Sequence, residues 1–212
     1  IIPLDNFHEN IVKTRYLEKV TNIKVFGCYD IDDLSYTKKQ INNFLKLISK
    51  LAKKNDMLVI CDYGHGLINK ELSSKISKLK INKSLNTQLN AANIGAHNFQ
   101  KYKNINFMII NEAELRYEMK DNVTKLDKLA KQMIKKININ DLVVTSGSEG
   151  AMLVNKSNKI FYCPAFATSV KDKVGAGDTM LSVISLCLNA KVPKDLSLFF
   201  GSIVASKSVN IV

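Results

Sequence analysis

Residues 174–179, with the sequence Val-Gly-Ala-Gly-Asp-Thr, directly precede an apolar stretch of helical length and spacing at 180–188. The two glycines allow a tight turn, and the first turn of the following helix carries unpaired backbone N–H groups at the positive end of its dipole. Such a turn binds anions, most often phosphate. The carboxylate of Asp178 would repel that anion unless it takes a proton from a nucleophile that attacks the anion. The segment therefore indicates phosphoryl transfer to a hydroxyl group, although an ordinary helix with an acidic first turn has the same residues.

Two other segments have the polar residues that a bound nucleotide requires. Asn111 and Glu114 follow a predicted strand, where they form either a capping box or a site for nucleotide phosphates, with Glu114 holding the water shell of Mg²⁺. Residues 145–150, Thr-Ser-Gly-Ser-Glu-Gly, follow a later strand. Their glycines would let a hydroxyl and a backbone N–H approach a phosphate, but a hairpin turn has a similar composition. Taken alone, neither segment decides between its two interpretations.

Short strand-like segments alternate with helical ones, which predicts a doubly wound, mostly parallel α/β sheet flanked by helices. The predicted strands are 11–17, 23–29, 57–62, 84–87, 107–110 and 141–145, with a hairpin at 151–154 and 160–163. The predicted helices are 36–54, 70–79, two within 112–137, then 175–188 and 195–212. Ligands of such sheets bind beyond the carboxyl ends of the strands. The polar residues expected at that edge are Asp62, Asn86, Asn111 and Thr145.

The composition is that of a globular chain of 212 residues with enough apolar material, 46%, for one sizeable core. The net charge of +12 comes almost entirely from lysines scattered along helix faces, so solvated surfaces are favoured over a nucleic-acid interface. The sequence has no apolar run long enough to cross a bilayer. Four isolated cysteines without a C-x-x-C pair indicate buried thiols in a reducing cytosol rather than disulfides or zinc ligands.

Three motifs occur in a fixed order along the chain: N-x-x-E at 111–114, T-x-G-x-x-G at 145–150 and D-x-x-G-A-G-D at 172–178. This set resembles the signature of the ribokinase-like sugar kinases of the phosphofructokinase B type, and the resemblance covers essentially the whole chain. It looks closest to the kinase half of bifunctional ADP-heptose synthases. Residues 12–16 resemble a lid strand of that family, and 86–90 match its relatives. Residues 62–66 resemble its strand-end loop, where the subfamily usually has lysine in place of His65.

The resemblance implies a role for each matching position. Asp178 would be the base that deprotonates the acceptor hydroxyl, and the anion hole would be Gly175, Ala176 and Gly177. The nucleotide site would comprise Asn111, Glu114, Thr145, Gly147 and Gly150. Glu114 would hold Mg²⁺ through water, and Asp172 would bind a monovalent cation, for which K⁺ is a candidate. The acceptor site would include Lys13 and Arg15 on the lid, which would face the phosphate of the sugar, together with Asp62 and Asn86.

The resemblance also implies an ATP- and Mg²⁺-dependent cytoplasmic kinase for a sugar or sugar phosphate, heptose 7-phosphate being one acceptor. We expect lid strands and their connection at 1–30 and the nucleotide-binding core at 31–212. Both ends look cut, so the first part of the fold, with the Gly-Gly sugar loop of the family, is expected to be missing. A homodimer and a fused domain such as a nucleotidyltransferase are the expected partners, whereas nucleic acid and membranes are not.

Other functions remain open at this point. The acceptor could be another small hydroxylated molecule, such as a nucleoside or a hydroxymethyl-pyrimidine, but Lys13 and Arg15 favour one that already carries a phosphate. A non-catalytic nucleotide-binding domain is a second alternative. The presence of Asp178 together with Asn111 and Glu114 argues against it, since a structural domain needs no carboxylate in an anion site. A basic nucleic-acid-binding domain ranks third.

Overall fold

The computed structural model describes residues 11–21, 23–30, 37–89, 93 and 98–210. An antiparallel two-stranded sheet comes first and is formed by β1 (Val12–Leu17) and β2 (Lys24–Asp30). A six-stranded sheet then contains β3 (Met57–Asp62), β4 (Asn82–Thr87), β5 (Ile105–Asn111), β6 (Ile139–Thr145), β7 (Ala151–Asn155) and β8 (Ile160–Cys163). These six strands are neighbours in chain order. Strands β3 to β6 are parallel, whereas β7 and β8 are antiparallel to their neighbours.

Helices cover both faces of the larger sheet. The first face carries α1 (Lys38–Ala52), α2 (Lys70–Ser77), α3 (Glu112–Met119) and α4 (Leu126–Ile137), and the second carries α5 (Ala176–Asn189) and α6 (Lys194–Ser208). Side chains alternate between the faces along each strand: in β5, Met108 packs toward the first group of helices and Ile109 toward the second. The predicted doubly wound, mostly parallel α/β fold is therefore confirmed.

The strand most poorly indicated by its sequence is β4, Asn-Lys-Ser-Leu-Asn-Thr, which lies between two apolar neighbours. Our prediction began it at residue 84, two residues late; a lysine, as at position 83, is typical of a protein surface. The Lys83 side chain is instead buried, and its Nζ donates hydrogen bonds to the carbonyl oxygens of Leu79 (2.8 Å) and Ile81 (3.1 Å). Those bonds satisfy carbonyls just after the end of α2, so this lysine is compatible with the sheet interior.

The prediction that the cysteines are buried is wrong for three of the four. Cys163 is buried, but Cys187 is half-buried, and both Cys28 and Cys61 are exposed. Cys28 lies on β2, whose neighbour in the described structure is β1 alone, and Cys61 lies on β3 at the edge of the larger sheet. An apolar sequence pattern does not distinguish an edge strand from a central one.

Some predicted features fall on residues that the structure does not describe. They include the two chain ends at 1–5 and 211–212, the first residue of the helix expected at 36–54, and Asn90 of the segment 86–90. Among the described residues, no helix is both long enough and apolar enough to span a membrane.

Candidate active site

The carboxyl ends of four parallel strands meet at one edge of the larger sheet, as the sequence predicts. In the register of the sheet, Asn111 at the end of β5 lies opposite Thr145 at the end of β6. Asn86 pairs with Cys61, next to Asp62 at the end of β3. The first turn of α5 reaches the same edge, because the Tyr63 hydroxyl just after β3 lies 3.4 Å from Oδ2 of Asp178. The structure thus brings the strand ends and the glycine-rich turn together.

The turn before α5 leaves a cradle of free backbone N–H groups. Gly175 caps the helix with a φ of +84°, a conformation that strongly favours glycine. Its carbonyl oxygen accepts hydrogen bonds from the backbone N–H (2.9 Å) and the hydroxyl (2.8 Å) of Thr179. In the described part of the chain, the N–H groups of Gly177 and Asp178 have no acceptor, and the space beside Gly175 and Gly177 is open. The geometry is therefore that of an anion site at a helix N-terminus.

The carboxylate of Asp178 has two oxygens in different situations. Oδ2 lies 3.4 Å from the Tyr63 hydroxyl, which donates to it, whereas Oδ1 is buried and has no hydrogen-bond partner among the described residues. Burial raises the pKa of Tyr63, and the negative charge of Asp178 raises it further, so the phenol stays protonated and remains a donor. A buried carboxylate oxygen without a donor is costly unless a ligand supplies one. An acceptor hydroxyl is such a donor.

Asn111 and Glu114 form the capping box that their spacing predicts. Oδ1 of Asn111 accepts from the backbone N–H of Glu114 (2.8 Å), and Oε2 of Glu114 accepts from the N–H of Asn111 (3.2 Å). Oε1 of Glu114 also accepts from the backbone N–H of Leu89 (2.9 Å), a contact that the sequence did not indicate. Burial raises the pKa of Glu114, while these backbone donors lower it. Since both oxygens are already engaged, Mg²⁺ fits here through a water molecule rather than by direct ligation.

The two glycines of the loop at 145–150 differ in their surroundings. Gly147 has a φ of +58° and open space on the side where a side chain would project. Gly150 has a φ of +91°, and a Cβ there would lie 2.2 Å from the carbonyl oxygen of Cys163. Gly150 is thus explained by close packing against the end of β8. That packing does not support the nucleotide contact expected of it, whereas Gly147 and Thr145 remain accessible.

Asp62, for which an acceptor contact is predicted, makes its contacts in the described structure within the protein. The Asp62 carboxylate is directed into the protein, with 4% of its side chain exposed. It accepts hydrogen bonds from the Tyr102 hydroxyl (2.8 Å) and the Gly64 backbone N–H (3.0 Å), and it pairs with the Lys101 ammonium group (2.7 Å). Burial, followed by the Asp62 charge, raises the pKa of Tyr102. Asp62 therefore anchors the loop after β3.

The side chain of Asn86 also makes its hydrogen bond in the interior of the sheet. Its side chain is buried, and its Nδ2 donates to the carbonyl oxygen of Ile109 on β5 (3.1 Å). A buried amide with a backbone partner contributes to strand packing. The predicted contact of Asn86 with the acceptor stays a prediction, as does that of Asp62.

The two basic residues of β1 have different environments. Lys13 and Arg15 are both exposed. They lie on the same face of β1 because they are two residues apart on a strand. The Lys13 ammonium group lies 4.6 Å from the centre of the Tyr29 ring, and that ring lies 5.5 Å from the ring of His65. Lys13 is thereby connected to the loop after β3. Arg15 is paired in register with Gly27, and its side chain makes no hydrogen bond, ion pair or cation–π contact with the described residues.

Asp172, the expected cation ligand, stabilises the segment that leads to the cradle. Its Oδ1 accepts from the backbone N–H of Val174 (2.9 Å), and its own N–H donates to the carbonyl oxygen of Val209 (3.2 Å). The side chain is exposed. No group of three or more His, Cys, Asp or Glu residues that could hold a metal ion occurs among the described residues.

The sequence prediction omitted the residues that join the acceptor side of the site. Tyr63 reaches Asp178 and His65 reaches Tyr29, and both belong to the loop that follows β3. Asn93 is buried, and its Nδ2 donates to the carbonyl oxygens of Tyr63 (3.0 Å) and Gln88 (2.7 Å). The signals for the first two were their place directly after a predicted strand end and the resemblance of residues 62–66 to the strand-end loop of the family, which did not assign them a contact; Asn93 had no signal.

Comparison with known proteins gives a consistent result. The sequence pattern of the pfkB family of carbohydrate kinases matches residues 4–210. The bifunctional protein HldE of Koribacter versatilis is 26% identical over 161 residues, which are 73% of this chain and 32% of that protein. HldE of Campylobacter fetus is 27% identical over 154 residues, 71% of this chain and 32% of that protein. The chain thus spans about a third of the length of these curated relatives.

Solved structures share the fold at low sequence identity. Phosphofructokinase-2 from Escherichia coli in complex with fructose-6-phosphate aligns with a TM-score of 0.71 and 16% identity, covering 93% of this chain and 64% of that chain. Ribokinase from Thermotoga maritima aligns with a TM-score of 0.63 and 19% identity, covering 79% of this chain and 55% of that one. At this level of identity the alignments establish the architecture.

Proposed function

The chain belongs to the pfkB family of carbohydrate kinases, and on this basis we propose that it transfers the terminal phosphoryl group of ATP to a hydroxyl group of a sugar or sugar phosphate. The observation that carries the proposal is the buried Oδ1 of Asp178, which lies beside backbone N–H groups at the N-terminus of α5; within the described residues neither has a hydrogen-bond partner. A base next to an anion site is what this transfer requires, because the acceptor loses a proton as it attacks the phosphoryl group.

Each part of the proposed site has one role in the phosphoryl transfer. Oδ1 of Asp178 accepts the proton of the acceptor hydroxyl while the Tyr63 hydroxyl holds Oδ2. The N–H groups of Gly177 and Asp178 donate to the transferring phosphoryl group, where negative charge accumulates in the transition state. Because these donors are fixed by the helix, they need no reorganisation during the reaction. Together they align the acceptor oxygen with the phosphoryl group.

The nucleotide is proposed to lie along the ends of β5 and β6. Thr145 and Gly147 are accessible there, and Asn111 and Glu114 open the adjacent helix. Mg²⁺, when bound, neutralises charge on the nucleotide phosphates. Glu114 would hold it through a water molecule, because its two oxygens already accept backbone hydrogen bonds. K⁺ near Asp172 remains a proposal of the same kind.

The proposed acceptor already carries a phosphate, and heptose 7-phosphate is the leading candidate. Lys13 and Arg15 are two cations on one exposed face of β1, suited to grip one dianion. The relatives named bifunctional protein HldE add support. We extend from them the proposals that residues 1–30 form a lid and 31–212 a nucleotide-binding core, that the protein forms homodimers, and that a further domain such as a nucleotidyltransferase is fused to it.

The proposal is tested by an ADP-release screen of the full-length protein with Mg·ATP. Phosphorylated heptoses, hexoses and pentoses are compared with the same sugars lacking phosphate and with nucleosides. Saturable ADP release with a phosphorylated sugar, absent from the Asp178→Asn variant, is the expected outcome. Release with a nucleoside instead would move the protein to the alternative acceptor class. No acceptor-dependent release across the screen would contradict the assignment as an active kinase.

A further inference from the structure

His65 lies where the two-stranded sheet meets the core. Its ring packs against that of Tyr29 with centroids 5.5 Å apart and planes inclined by 48°. The Lys13 ammonium group lies over the same Tyr29 ring at 4.6 Å. Nδ1 of His65 is buried and has no hydrogen-bond partner in the described part of the chain. Like Oδ1 of Asp178, it is a buried polar atom of the candidate site without a partner among the described residues, and nothing in the reaction described so far uses it.

The backbone of the loop that carries His65 is rigidly held. Gly64 has a φ of +70°, and its N–H donates to the Asp62 carboxylate, which is itself fixed by Lys101 and Tyr102. The carbonyl oxygen of Tyr63 accepts from the buried amide of Asn93. A loop anchored on both sides of Gly64 presents Tyr63 to Asp178 and His65 to the lid.

The charged groups around His65 favour its neutral form. Burial lowers the pKa of its imidazole, the Lys13 ammonium group lowers it further, and the Asp62 carboxylate opposes both. Among the described residues, the titratable groups that act on the ring are Lys13 on β1, Tyr29 on β2 and Asp62 on β3. The influence of Asp62 is reduced because Lys101 already pairs with it at 2.7 Å. The imidazolium has an N–H on both ring nitrogens, and the described residues offer no acceptor to the buried Nδ1, which also disfavours the charged form.

A phosphate dianion bound between the lid and this loop would reverse that balance. It would neutralise Lys13 and accept a charge-assisted hydrogen bond from the protonated imidazole. We propose that His65, together with Lys13, binds the phosphate of the acceptor and takes up one proton as that phosphate binds. The proton comes from solvent and goes to the imidazole, and no bond of the phosphate ester forms or breaks. The inference rests on the proposed function in one respect, namely that the acceptor is phosphorylated.

The sign of the resulting pH dependence follows from the pKa of His65 without phosphate and its pKa with phosphate bound. Without ligand the pKa of His65 lies below its ordinary value, and bound phosphate raises it. Between those two values, binding consumes a proton, so affinity falls as the pH rises. Below this window His65 is charged with or without ligand and affinity is highest, and above it His65 is neutral in both states and affinity is lowest. A charge-assisted hydrogen bond corresponds to about tenfold in affinity across the window.

Histidine NMR on the full-length protein tests the phosphate site without requiring turnover. The His65 ring signal is identified by its loss in His65→Gln, and its titration is followed with and without inorganic phosphate at constant ionic strength set with chloride. The expected result is an upward shift of the His65 pKa on adding phosphate that is much reduced in Lys13→Gln. If the pKa of His65 is the same with and without phosphate, the proposal is overturned, whatever the activity of the enzyme.

Kinetics then link this site to the acceptor. The KM for heptose 7-phosphate is measured against pH in the wild type, His65→Gln and His65→Lys, and each profile is divided by that of His65→Gln to remove the titration of the phosphate itself. Relative to the KM of His65→Gln, the wild-type KM should be about tenfold lower at low pH and equal at high pH. The KM of His65→Lys relative to that of His65→Gln should stay nearly constant with pH. The KM for ATP should not follow either pattern.

The outcomes separate this inference from the proposed function. Turnover of heptose 7-phosphate with the same pH profile in the wild type and His65→Gln would overturn the role of His65 and leave the kinase assignment intact. Turnover limited to unphosphorylated acceptors would overturn the link between His65 and the acceptor. An absence of turnover, together with a His65 pKa that rises with inorganic phosphate, would contradict the proposed function while supporting the phosphate site.

Discussion

Replacement of Asp178 by asparagine isolates the proposed proton transfer from every other property of the site. The substitution keeps the size of the side chain and leaves an amide oxygen to accept the hydrogen bond from Tyr63, which at 3.4 Å is already long. It removes the carboxylate whose buried Oδ1 has no partner in the part of the chain that the structure describes. Loss of a general base costs about 10²–10⁴-fold in rate, which corresponds to about 3–5 kcal/mol of transition-state stabilisation.

The fold and the nucleotide affinity should change little. A carboxylate in the first turn of a helix stabilises it by only about 0.3–1 kcal/mol, so the variant is expected to stay folded. The cradle is made of backbone N–H groups, which asparagine leaves in place, and removal of a negative charge beside the phosphates cannot weaken their binding. The Kd for Mg·ATP should therefore stay within about threefold of the wild-type value, since that difference is below 1 kcal/mol.

The assay compares kcat, Kd for Mg·ATP and Tm of the full-length wild type and Asp178→Asn. Asp195→Asn is the matched control, because Asp195 occupies the first turn of α6 and is exposed. The control should retain wild-type kcat. A kcat of Asp178→Asn near that of the wild type would refute the assignment of the base. An equal loss of kcat and of ATP affinity would show that the residue acts in binding.

Three further changes have distinct expected results. Arg15→Ala should raise the KM for a phosphorylated sugar about tenfold or more, since a charged hydrogen bond contributes roughly 1.5–3 kcal/mol. The KM for ATP should not change. An unaltered KM for the sugar would show that Arg15 lies on a solvated face and does not contact the acceptor. Gly150→Ala should lower the free energy of unfolding in urea by several kcal/mol, because the added Cβ would lie 2.2 Å from a backbone oxygen. Gly147→Ala has open space for its Cβ and should cost only about 1 kcal/mol. Equal losses for the two variants would contradict this explanation. Lys101→Met should reduce the free energy of unfolding by about 3–5 kcal/mol, because it leaves the buried Asp62 carboxylate without its cation, and a loss below 1 kcal/mol would show that the pair is not needed.

The sequence by itself determined the features that depend on neighbouring residues. Alternation of strand and helix patterns specified a parallel sheet with helices on both faces, and this placed the strand ends at one edge. The turn at Gly175 and the capping box of Asn111 and Glu114 follow from residue types three or four positions apart. Such interactions form within one turn of a helix, so their geometry is contained in the local sequence.

The tertiary structure alone decided which polar residues face the cleft. Asp62 and Asn86 stand at strand ends as predicted, yet both are directed inward. Asp62 does so because a lysine and a tyrosine some 40 residues later in the chain reach its carboxylate, and a strand pattern does not reveal such a distant partner.

The same limit explains the contacts that the sequence prediction missed. Tyr63 meets Asp178 across 115 positions, Glu114 accepts from Leu89 across 25, and Gly150 is required by a carbonyl oxygen on β8. Local propensity fixes the helices and strands, but the register and packing of distant segments determine which side chain finds a partner and which remains available to a ligand.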